Sequence, residues 1–78
     1  MTTQTPQVDV GNHKVTLGAT TYSVQPLDAD QFTVLLEGVP VGRIVYTFGA
    51  ANAVVEGDAI SEDALTSIGE AWFAALDS

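Results

Sequence analysis

Apolar and polar positions alternate along most of this chain, in short runs separated by glycine, proline, asparagine and aspartate. Val8 and Val10 flank Asp9, and Gly11-Asn12 then offers a tight-turn pair. His13 to Leu17 alternates again, with Val15 and Leu17 on one face. Gly18-Ala19 turns the chain into Thr20 to Val24, a β-branched and aromatic run. Pro26-Leu27-Asp28-Ala29-Asp30 has the chemistry of a turn.

Period-two alternation is strongest in the next two segments. Gln31 to Leu36 places Phe32, Val34 and Leu36 on one face. Val41 to Phe48 sets Ile44, Tyr46 and Phe48 against Val41, Arg43, Val45 and Thr47. Together they predict a hairpin whose aromatics pair across strands, interrupted by Glu37-Gly38, with Pro40 at the turn or on an edge. Gly38-Val39-Pro40-Val41-Gly42 reads as part of that turn and not as a phosphate cradle. No lysine follows at Walker spacing, and the proline removes a backbone donor. After Gly49-Ala50-Ala51-Asn52, the run Ala53 to Glu56 supplies a last short strand, ended by Gly57-Asp58.

The C-terminus changes period. Ser61 is a good N-cap, and Glu62 and Asp63 fall in the first turn, where the helix dipole favours carboxylates. At about 100° per residue, Ala64, Leu65, Ile68, Gly69, Ala71, Trp72, Ala75 and Leu76 share one arc. Residues 61–77 therefore predict an amphipathic helix, with Trp72 plugging the core. Gly69 inside it costs about 1 kcal/mol relative to alanine, which a close approach of a strand would explain. Phe73 falls among the polar positions, so it either folds over the sheet edge or stands out as a partner contact. The fold class is α+β: an antiparallel meander of about four to five short strands packed on one C-terminal helix. Residues 1–6 read as a flexible tail and residues 7–78 as a single domain.

Charge sharpens this picture. Ten acidic residues face two basic ones, Lys14 and Arg43, for a net charge of −8. Charged residues are only 15% of the chain, against about 25% in ordinary domains, so scarce cations cause the imbalance more than dense carboxylates do. Arg43 is expected to pair with Glu37 or Glu56. Such a chain repels nucleic acid and anionic membranes, which argues against direct binding to either. No run approaches the roughly 18 apolar residues of a membrane span, and Met1 to Gln7 lacks a signal-peptide pattern; the expected compartment is the cytosol.

No chemistry-bearing motif emerges. With no cysteine, disulfides, thiolate zinc sites and cysteine nucleophiles are excluded. His13 is the single histidine, which excludes a histidine metal cluster, and its plain reading is a surface residue. The pairs Asp28/Asp30, Glu56/Asp58 and Glu62/Asp63 are explained by turns and a helix start. The expectation is a protein that is not an enzyme and uses no metal or cofactor. The order of elements is common among small α+β domains of bacteria and their phages and is too general to name a family.

Three functions fit. The first is a protein-binding module, an inhibitor or accessory protein, using the outer helix face of Glu62, Asp63, Glu70, Phe73 and Asp77 against a partner with a basic surface. The second is an acidic nucleic-acid mimic that blocks a basic groove of a host nucleic-acid-targeting complex, as anti-CRISPR proteins do. The third is a small-ligand-binding domain, or a homodimer formed through an edge strand.

Overall fold

The computed structural model describes residues 6–77. Six strands, β1 (Gln7–Asp9), β2 (Lys14–Leu17), β3 (Thr20–Asp28), β4 (Gln31–Leu36), β5 (Val39–Thr47) and β6 (Ala50–Val55), form one sheet in chain order. Every neighbouring pair is antiparallel, and helix α1 (Glu62–Leu76) follows. The architecture is thus α+β, as the pattern of the sequence predicts, with six strands rather than four to five.

The sheet is curled into a half-barrel. Helix α1 touches β5 and β6 at one end of the sheet and β1 and β2 at the other. Six flat strands at the usual spacing would hold β1 and β6 about 24 Å apart, more than one helix of about 10 Å diameter can span. Curling brings both ends to the helix. Val15, Val24, Val34 and Ile44 from the concave face meet Leu65, Ile68 and Trp72 from α1, all essentially solvent-free. Trp72 plugs this core as its position on the helical arc predicts.

Two glycines set how closely the layers approach. A Cβ on Gly69 would lie 3.0 Å from Ile44 Cγ2 and 3.4 Å from Ala51 Cβ, so the strand contact expected there is present. A Cβ on Gly42 would collide with Leu65 and lie 2.8 Å from the Val54 carbonyl oxygen. Gly42 therefore does not belong to the turn that the sequence suggests. It sits inside β5, opposite Val34 and Val55, to clear space for the helix.

Several boundaries also differ from the sequence reading. β3 continues through Pro26 to Asp28, with a register shift between Pro26 and Asp28, and the turn shrinks to Ala29-Asp30. Pro40 lies in a central strand beside the β4–β5 register shift, where Leu35 faces Pro40 and Val34 faces Gly42. That irregularity releases a ladder position and lets Val41 turn into the core. β6 begins at Ala50, not Ala53, because residues 50–52 pair with Val45 to Thr47. Partnering with a neighbouring strand here overrides weak local β-propensity. The tail expected over 1–6 lies, except for Pro6, outside the described residues.

Helix α1 ends where its caps place it. Ser61 accepts a hydrogen bond from the Ala64 amide at 3.2 Å. Ser61→Ala should cost about 1 kcal/mol and lower Tm by about 4–8 °C, read from thermal unfolding by circular dichroism. An unchanged Tm would mean that water replaces the cap. Leu76 departs from the predicted arc: it is 44% exposed, because the last turn reaches the end of the sheet where little remains to cover it. Arg43 pairs with Glu56 at 3.7 Å on the outer surface, a half-exposed contact worth little.

Candidate functional site

A meander places alternate connections at alternate ends. The β1–β2, β3–β4 and β5–β6 connections share one end of the half-barrel, and α1, starting after β6, finishes there too. The Tyr46 amide donates to the Asp30 carbonyl at 2.8 Å, tying the β3–β4 connection to the end of β5. This end holds five of the seven large apolar side chains that are exposed among the described residues: Val10, Leu27, Tyr46, Phe48 and Leu76.

A chain of aromatic ring contacts runs from this end through the core residue Trp72. His13 and Trp72 have ring centroids 6.1 Å apart, Trp72 and Phe32 5.6 Å, Phe32 and Phe73 5.6 Å, and Phe73 and Tyr46 5.1 Å. The tilted and edge-on arrangements are those that the ring quadrupole favours. Phe73 is half-buried between Phe32 and Tyr46, over the inner strands β4 and β5 rather than a sheet edge, and remains accessible. Two adjoining clefts open beside it. One, of about 240 Å³, lies between Asp30, Phe32, Leu76 and the Tyr46–Phe73 pair. The other, of about 350 Å³, lies between Ala50, Ala51, Glu70 and the same pair, and Asp77 borders both.

No protein-family model, curated protein or solved structure matches the chain. The reading of function rests on this geometry.

Phe48 is its most telling residue. It occupies the tip of the β5–β6 hairpin with φ 52°, followed by Gly49 at φ 79°. Two consecutive positive φ values in a two-residue connection mark a type I′ turn, which favours Asn-Gly. A bulky side chain in this left-handed region costs on the order of 1–3 kcal/mol. Phe48 gains no packing in return, since it is fully exposed. The sequence reading instead placed Phe48 on the face of a strand for cross-strand pairing. The sequence carries no alternation over Ala50 to Asn52 to show that Phe48 and Gly49 alone form the turn.

The helix residues singled out from the sequence divide into two groups. Glu70, Phe73 and Asp77 all line the larger cleft. Glu62 and Asp63 are exposed at the other end of α1, about 20 Å from Asp77 at 1.5 Å per residue. His13, also exposed, adopts a left-handed turn conformation at φ 57°. Beside it, Asn12 donates to both carboxylate oxygens of Asp9, at 3.3 Å from its amide and 2.7 Å from its side chain. These bonds hold the Asp9 carboxyl below its usual range and cap the Val10–Asn12 turn. Among the described residues, no three His, Asp or Glu side chains converge as a metal site would require. No helix there is long and apolar enough to cross a membrane, which says nothing of strands.

Proposed function

We propose that this chain is a non-enzymatic protein-binding module whose contact surface is the aromatic end of the half-barrel. The observation that carries this reading is Phe48: a fully exposed aromatic ring on left-handed backbone, at the same end of the half-barrel as exposed Tyr46 and Leu76. Stability alone would favour asparagine at that turn position. Exposed apolar clusters rimmed by polar groups mark interaction sites, and aromatics anchor them. The acids on the outer helix surface contribute where Glu70 and Asp77 reach the clefts. Occupying a partner's surface in this way is how an inhibitor or accessory protein acts.

Nucleic-acid mimicry has less support. Along α1, Glu62/Asp63, Glu70 and Asp77 are about 10–12 Å apart at 1.5 Å per residue. Phosphates recur every ~3.4 Å along a strand. A homodimer through an edge strand is likewise disfavoured, because β1 and β6 both lie against α1 and two copies of charge −8 repel.

The test is Phe48→Asn. Relief of backbone strain should raise stability by about 1 kcal/mol, a gain of about 4–8 °C in Tm. The same change should abolish a specific capture that wild-type protein makes from host lysate. Capture left intact by Phe48→Asn would overturn the assignment of this surface.

A further inference from the structure

We infer that the occupant of these clefts is a basic segment of a protein partner, with one cation at the C-terminal end of α1 and an adjacent apolar side chain on Tyr46 and Phe73. This inference rests on the interaction reading above and adds the chemistry of the partner.

The argument is one of charge complementarity at an apolar surface. Asp30, Glu70 and Asp77 border the clefts. The last turn of α1 carries no basic residue, so its carbonyl ends, the negative pole of the helix, are met by Asp77 and not by a lysine or arginine. Asp77 donates its amide to the Phe73 and Ala75 carbonyls, which closes the helix, and among the described residues no ion pair meets its carboxylate. Neither Lys14 nor Arg43 lines these clefts. Arg43 pairs with Glu56, and Lys14 lies opposite Asp9 and Ser23 in the sheet. A cation brought by the partner would face the helix pole, the Asp30 and Asp77 carboxylates and the rings of Tyr46 and Phe73, all of which attract positive charge.

The same facts argue against the other occupants. A second copy would bring another acidic rim and a further charge of −8. A nucleic acid would be repelled. The clefts open to solvent and do not enclose a small molecule, whereas a segment of chain can lie across both and bridge the Tyr46–Phe73 divide.

Synthetic peptides test this directly. One alternates leucine and arginine, a second replaces arginine by glutamate, and a third replaces leucine by serine. Each is titrated into isotope-labelled full-length protein and followed by amide chemical shifts. The leucine–arginine peptide should shift the amides of Asp30, Tyr46, Gly49, Phe73 and Asp77 and leave those of Glu62 and Asp63 unmoved. The glutamate peptide should not bind, and the serine peptide should bind more weakly. Asp30→Asn combined with Asp77→Asn should weaken binding on the order of tenfold, and the loss should shrink from roughly 0.1 M to 0.5 M salt. Binding indifferent to peptide charge, or shifts centred on another face, would overturn the inference. If Phe48→Asn abolishes capture of a natural partner while the Asp30/Asp77 double variant retains it, the basic segment is wrong and the interaction surface stands. If Phe48→Asn retains capture, both fall.

Discussion

Trp72→Ala should cost this protein about a quarter or more of its folding stability. Trp72 is 1% exposed and joins the sheet to the helix, so its truncation removes about 3–5 kcal/mol of burial and packing. At 78 residues a folded chain has on the order of 4–12 kcal/mol in total. The phenylalanine variant discriminates between causes. Among the described residues, the Trp72 indole N–H is buried without a hydrogen-bond partner. An unsatisfied buried donor costs about 1–3 kcal/mol, so Trp72→Phe recovers that amount while losing only part of the ring's burial. It should cost well under half as much as Trp72→Ala in urea unfolding followed by circular dichroism. If phenylalanine is as damaging as alanine, ring size controls this site and the orphan donor has no energetic weight.

Gly42→Ala is the second large effect, opposite in sign to what composition suggests. Glycine in a strand interior is ordinarily a weakness that a side chain would repair. Here the added methyl would strike Leu65 and press on the Val54 carbonyl oxygen at 2.8 Å. Leu65 is fully buried against the core, and the carbonyl belongs to the β5–β6 ladder, so neither can yield freely. Overpacking of this kind costs about 1–3 kcal/mol. The cause can be isolated with Leu65→Val, which removes the colliding Cδ atoms. In that background Gly42→Ala should cost less than in the wild type, a coupling visible in a double-mutant cycle. Strict additivity would place the strain elsewhere, in β5 itself.

These two residues show how differently sequence positions reveal their roles. Trp72 was legible because a helix repeats every 3.6 residues, and its neighbours Leu65, Ile68 and Gly69 fall on the same arc. Gly42 was not, because its meaning depends on Leu65, a residue on another element. Local chemistry suggested a turn at residues 38–42, and only the β4–β5 pairing shows that the turn closes at Glu37-Gly38. Pro26 likewise looked like punctuation, yet the ladder continues around it with a register shift.

The candidate site divides along the same line. Glu70, Phe73 and Asp77 were visible as a helical set, because local periodicity alone places them together. Asp30, the Tyr46/Phe48 pair and Leu76 come from three segments, and nothing local links those segments. The sequence by itself determined the α+β class, the alternating strand runs, the capped helix with Trp72 on its buried arc, and the acidic balance. These follow from alternation, period and composition, which act over a few residues. Tertiary structure decided the curl of the sheet, the glycine clearances and the gathering of aromatic and acidic side chains at one end. Those depend on which strand edges pair and how closely α1 approaches them, contacts made across long stretches of chain.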